Sequence, residues 1–147
     1  MQAQQLQTIR VVLDAVAAND IDKAASHLSD SDEFSWDLRP ATVKEYMGFG
    51  AEEKLSKPQM VKMWKKIRSE VIKKVKSMEL QNIVQGQDAL ALRILNEPTT
   101  VDGQTFKNEI AVFVDFEPGT DKILKGVESF DSARLIEHLQ RLNVKLT

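Results

Sequence analysis

The sequence contains no cysteine and two histidines, His27 and His138. Its chemistry must therefore come from carboxylates, hydroxyls, amides or an imidazole. Disulfides, a thiolate nucleophile and Cys-ligated zinc are excluded together. The phosphate loops GxGxxG and GxxxxGK[ST], the HExxH zinc motif and the GxSxG nucleophile elbow are all absent. What remains is a set of charged residues inside strand-like runs: Asp37, Arg39, Arg93, Glu109 and Asp115. Glu109, Ala111, Phe113 and Asp115 share one face of their run, and Ile110, Val112, Val114 and Phe116 share the other. Whether the two carboxylates stud a cavity wall or an outer surface is open at this level. Asp131-Ser132 stands just before a helical pattern, where Asp is among the best N-caps. His27 sits at the end of a short helical run and can satisfy its last carbonyls. His138, between Glu137 and Leu139, reads as solvent-facing. Trp36, Tyr46, Trp64 and Phe113 could line a pocket for an apolar ligand, although Trp36 and Trp64 equally supply bulk to a core.

A chain of 147 residues is the size of one domain, so residues 1–147 are read as a single unit. With 42% hydrophobic and 29% charged residues, the composition is that of an ordinary globular protein rather than a disordered one. A net charge of -2 lacks the basic excess on which nucleic-acid affinity rests, and no nucleic-acid partner is expected. The start, Met1-Gln2-Ala3-Gln4-Gln5-Leu6-Gln7, is too polar for an export signal. No stretch approaches the roughly 20 apolar residues of a membrane span. The expectation is a cytoplasmic protein without a membrane partner.

Leu6, Ile9, Val12, Leu13 and Val16 recur at helical spacing, and Asn19-Asp20 can cap a short second helix through Leu28. Phe34, Trp36 and Leu38 alternate with polar residues, which predicts a short strand ending at Pro40. Residues 41 to 56 show no sustained period and read as a loop with at most one helical turn. Ser56-Lys57-Pro58 opens a helix whose stripe is Met60, Met63, Trp64, Ile67 and Val71. From there the period changes to two: Val75, Met78, Leu80 and Ile83 predict a strand, followed by strands over 89–95, 110–116 and 122–130. The nearly continuous apolar run Ile110–Phe116 reads as covered on both faces. A helix from Ser132 to Leu142 closes the chain. Short turns between consecutive strands predict an antiparallel sheet, and helices set outside the strand run predict an α+β class. Lys54, Lys57, Lys62, Lys65, Lys66, Arg68, Lys73, Lys74 and Lys76 form a basic run that reads as a solvated face, because no aromatic platform for bases accompanies it.

The segment Asp121-Lys122-Ile123-Leu124-Lys125-Gly126-Val127-Glu128-Ser129-Phe130-Asp131-Ser132 is similar to the last strand of the nuclear transport factor 2-like superfamily. Phe34-Ser35-Trp36-Asp37-Leu38-Arg39-Pro40, followed by a lysine-rich helix, looks like small fungal-type members of its SnoaL-like, ketosteroid-isomerase-like branch. The order of elements from about Leu6 to Leu142 resembles that branch as well. The resemblance implies a strongly curved sheet wrapped around the N-terminal and middle helices, a cone-shaped roll with a short C-terminal helix. It also implies a hollow for a hydrophobic small molecule and a homodimer formed through the outer sheet face. The implied activity is acid–base chemistry with neither cofactor nor metal: isomerisation, cyclisation, dehydration or hydrolysis. The other reading is a non-catalytic binding or dimerisation module. On this resemblance Asp131 is the proton-transfer candidate, with His27 in reach of the pocket. Tyr46, His27 and Arg93 are possible orienting donors, Arg93 also as a partner of Asp131, and Trp36, Tyr46, Trp64, Arg93 and Phe113 are ligand contacts. Ser129 departs from the branch, whose cyclases often carry a histidine two residues before this aspartate.

Overall fold

Residues 1–146 are described by a computed structural model. Helix α1 spans Gln2–Ala17 and buries Ile9, Val12 and Ala15. Gln5 is buried as well, its amide donating to Asp88 Oδ1 at 2.9 Å and to the Thr120 carbonyl at 2.8 Å. Helix α2, Ile21–Ala25, is capped by Asp20, which accepts from the Lys23 N–H. Strand β1 is Ser35–Arg39 and helix α3 is Thr42–Tyr46. Helix α4, Lys57–Lys66, starts with a capping box in which Ser56 and Gln59 satisfy each other's backbone N–H. It runs into a π-helical turn, Ile67–Val71, and then into β2, Ile72–Gly86. Strands β3 (Ala89–Thr100), β4 (Asn108–Phe116) and β5 (Ile123–Ser129) follow, and α5 (Ser132–Leu142) closes the chain.

The five strands lie in the order β1-β5-β4-β3-β2. Pairs β2–β3, β3–β4 and β4–β5 are antiparallel, whereas β1 runs parallel to β5. The sheet is therefore mixed, which corrects the all-antiparallel expectation. Hairpin turns dictate only the last four strands. β1 arrives beside β5 through a long connection that is free to return in the same sense.

The sheet is curved, and the sequence shows where. Register breaks fall between Val75 and Met78 and between Gln81 and Val84. The apolar series Val75, Met78, Leu80, Ile83 is not strictly two-fold, and its three-residue steps span these bulges. Each bulge bends its strand and strengthens the local twist.

The concave face carries Trp36, Leu38, Leu92, Ile94, Val112 and Val114 against the helices. Phe113 on the opposite face is 58% exposed. The Ile110–Phe116 run is thus covered on one side only, and Glu109 and Asp115 point outward with Phe113.

Residues 41–56 gain their order from a buried ion pair that has no periodic signal. The Lys44 side chain is fully buried, and its Nζ reaches Asp37 Oδ1 at 2.5 Å and the Glu53 carbonyl at 2.9 Å. Arg39 Nε meets the other Asp37 oxygen at 3.0 Å. Burial alone would push the Asp37 carboxyl up, but the hydrogen bonds from Lys44 and Arg39 outweigh it and hold the group below its ordinary value. Leu55 also pairs with the Trp36 backbone, fastening this segment to β1. No helix is long and apolar enough to cross a membrane among the described residues.

Candidate functional site

Alternation along β5 sends Lys125, Val127 and Ser129 outward and turns Gly126 and Glu128 toward the concave side. Gly126 has no side chain because the Trp36 indole lies directly over it. From that position Trp36 Nε1 donates to Glu128 Oε2 at 2.9 Å. Glu128 sits between Leu38 and Val112 in the sheet, and no ion-pair partner reaches it among the described residues. Burial raises its pKa, and the Trp36 N–H opposes that rise without cancelling it.

Glu128 faces a cavity with two lobes of about 190 Å³ and 130 Å³. The lobes share Val16, Trp64, Met78, Asn96, Ile110 and Glu128, so the carboxyl stands at their junction. The inner lobe is lined by Ile9, Leu92, Ile94 and Val112 and is apolar apart from Asn96 and Glu128. The outer lobe extends toward α5, past Phe106, Arg68 and His138, to the exposed pair Asp131 and Arg134.

Two side-chain atoms are buried without a hydrogen-bond partner among the described residues, Asn96 Oδ1 and His138 Nε2. Both residues line this cavity. His138 is 5% exposed, which corrects the solvent-facing reading. The register of α5 turns His138 and Leu139 inward together, and the ring stacks on Phe106 at a centroid distance of 4.6 Å. Burial, and then the nearby Arg141 and Arg134, hold its pKa below the usual imidazole value.

Arg68 departs from the solvated basic run. The π-helical turn buries it, and it donates to the carbonyls of Val16 and Ala17, each at 3.0 Å, and of Ile72. It closes the C-terminal end of α1, where the helix dipole favours a cation. Its desolvation lowers its pKa.

Of the residues singled out from sequence, Trp36, Trp64 and Asp131 border the cavity. Asp131 does so as the N-cap of α5, accepting from the Arg134 N–H at 3.1 Å with its side chain 56% exposed. His27, half-buried at the end of α2, lies outside the cavity lining. Tyr46 is exposed at the end of α3. Arg93 pairs with Glu109 at 2.8 Å on the convex face and so stands apart from Asp131. Phe113 lies on that convex face too, and Ser129 points outward, where a side chain has no route to the cavity. Glu128, Asn96 and the inward face of His138 were not singled out. A glycine in a strand interior marks a close approach, and Gly126 was the available signal for its inward-facing neighbour Glu128.

A broad surface groove of about 1020 Å³ runs along α4. Its Lys57 and Lys66 are paired with Asp30 and Glu70, and Lys65 with Asp22. The half-buried Glu128 carboxyl and the unpartnered atoms all line the two-lobed cavity, which makes it the candidate site. Among the described residues no group of three His, Asp or Glu side chains could hold a metal ion.

No family model matches the sequence, and no curated protein matches it significantly. Solved structures do match its shape. PrhC from Penicillium brasilianum superposes with a TM-score of 0.75 at 12% identity, covering 97% of this chain and 89% of that one. IdmH from Streptomyces antibioticus, a candidate polyketide cyclase, gives 0.72 at 15% identity over 93% and 99% of the two chains. An LEH-like epoxide hydrolase from M. tuberculosis gives 0.66 at 10% identity over 95% and 92%. At such identities the likeness is one of fold.

Proposed function

We propose that this chain, which has the nuclear transport factor 2-like fold, takes a small and mainly apolar molecule into its cone and acts on it through Glu128 as an acid–base group without a cofactor. One observation carries the reading. A carboxyl with a raised pKa stands at the junction of two greasy lobes, restrained by a single N–H. A desolvated carboxyl of this kind can give and take a proton nearer neutrality than a free glutamate. Asn96 and His138 supply further polar atoms on the same wall, so the cavity offers orientation as well as room. The epoxide hydrolase and the candidate cyclase among the structural neighbours support chemistry in such a cone. Asp131 keeps a place in this reading at the outer end, where it caps α5.

The test is a comparison of wild type with Glu128→Gln across a panel of small cyclic ketones, epoxides and lactones. The amide keeps the Trp36 hydrogen bond and nearly the same volume. Turnover is expected to fall about 10²–10⁴-fold while ligand binding persists. Equal turnover in both proteins refutes the catalytic part of the reading, and absence of binding refutes the cone as a ligand site.

The convex face supports the expected homodimer. Val127, Phe113, Ala91 and Val84 are register partners in one row across four strands. Val84 is 67% exposed, Phe113 58% and Val127 38%. An apolar row of this kind, rimmed by Arg93, Glu109 and Lys125, is suited to self-pairing.

A further inference from the structure

We propose that Asp102 and Arg141 hold His138 as a neutral imidazole whose Nε2–H is a hydrogen-bond donor for the ligand, so that the molecule taken into the cone carries an acceptor oxygen, carbonyl or ether, at its α5 end. This rests on the cone being a ligand site and adds the class of molecule it selects.

The argument starts from what each group can donate. A guanidinium has N–H groups and no acceptor. Arg141 Nη1 lies 2.8 Å from His138 Nδ1, so Nδ1 must offer its lone pair and the ring proton must sit on Nε2. Arg141 is itself clamped by Asp102, from Nε at 2.7 Å and from Nη2 at 3.1 Å. Asp102 also accepts from the Thr100 hydroxyl. Its carboxyl is pulled down to about 2, by Arg141 first and Thr100 second, so the clamp stays ionised throughout the working pH range.

The charges facing the ring have been placed to keep it neutral. Arg141, Arg134 and Glu137 come from its own helix, and Asp102 comes from the β3–β4 turn. Arg68 and Glu128 line the same cavity from the π-helical turn and β5. Burial and the two nearer arginines outweigh the two nearer carboxylates. The remaining donor, Nε2–H, is buried with no acceptor among the described residues, on a ring that lines the outer lobe. A buried N–H without an acceptor is a costly arrangement for a folded protein, and an oxygen brought in by a ligand would relieve it.

The experiment uses the full chain with ¹⁵N-labelled histidine and two probes of equal shape, acetophenone and α-methylstyrene, which differ in an oxygen against a methylene. In the free protein at pH 7 the ¹⁵N shifts of His138 are expected to be those of the Nε2–H tautomer. Acetophenone is expected to move that resonance, and the acetophenone-to-α-methylstyrene affinity ratio is expected to fall about tenfold in His138→Phe, which keeps the stacking on Phe106. Arg141→Met, a change at a partly exposed side chain, is expected to populate the Nδ1–H tautomer in a folded protein. An Nδ1–H tautomer or an imidazolium in the wild type overturns the proposal, as does a His138 tautomer indifferent to Arg141→Met. An affinity ratio unchanged by His138→Phe overturns it too, while leaving the cone intact as a ligand site. If neither probe binds, the ligand-binding reading falls and takes this inference with it.

Discussion

Replacing Gly126 by alanine tests the contact on which the site geometry depends. A Cβ at Gly126 would lie 2.1 Å from Trp36 Cζ3, 2.3 Å from Cε3 and 2.6 Å from Cη2, where ordinary contacts begin at 3.4 Å. The indole must retreat by roughly 1 Å inside a packed core, and overpacking of that kind costs about 1–3 kcal/mol. Trp36 is 6% exposed, and the inner lobe that it borders is the space into which the indole would be pushed. The same displacement breaks the 2.9 Å hydrogen bond to Glu128 and leaves a half-buried carboxyl without a partner, about 1–3 kcal/mol more. The expected loss is therefore about 2–6 kcal/mol, a large part of the roughly 5–15 kcal/mol that holds a domain together. Without the Trp36 N–H nothing opposes burial at Glu128, so its pKa climbs further and the loss grows as the pH rises. Urea unfolding followed by circular dichroism and tryptophan fluorescence at pH 5 and pH 8 reads both effects. A variant within about 0.5 kcal/mol of wild type at both pH values would refute the stacked arrangement of Trp36, Gly126 and Glu128.

Four further outcomes follow from the same geometry. Because the folded pKa of Glu128 is raised, wild type loses stability as the pH climbs from the ordinary 4.5 through the folded value. Glu128→Gln should remove that slope, matching wild type near pH 4 and exceeding it at pH 7 in urea titrations. Asp131→Ala should cost about 1 kcal/mol through loss of the α5 cap and Asp131→Asn almost nothing, as melting curves would show. Asp37→Asn keeps an acceptor oxygen near the fully buried Lys44 ammonium but removes its counter-charge, and should cost about 3–5 kcal/mol. Asp37→Leu combined with Lys44→Met should recover most of that cost, and a double mutant no more stable than the single would count against the buried pair. If the convex face pairs two copies as proposed, Phe113→Lys should shift wild-type dimer to monomer in sedimentation velocity, and an unchanged assembly or an already monomeric wild type would remove that face as the pairing surface.

The elements were legible because each rests on a local rule. Proline after a capping serine placed the start of α4, the Asp131-Ser132 step placed the start of α5, and alternation placed β1 and β5 to within a residue or two. Residues 41–56 were illegible because their order comes from one buried ion pair, Lys44 with Asp37, and from the Leu55 bridge to Trp36, neither of which leaves a periodic signal. Arg68 was misplaced because a π-helical turn adds a residue to the helical period and rotates the side chain inward. His138 was misplaced because the polar neighbours on either side of Leu139 gave no hint of which one α5 would bury.

The candidate site divides along the same line. Local order alone determined an α+β chain with a four-strand meander and helices at either end, since capping, turn chemistry and alternation act over a few residues. Three decisions belonged to the tertiary structure: which face of each strand looks inward, the parallel entry of β1 beside β5, and the choice of Glu128 over Asp131 as the carboxyl deep in the cone. The physical reason is desolvation. A carboxyl becomes chemically distinctive when other segments of the chain remove its water and withhold a counter-charge, and neighbours in sequence do neither.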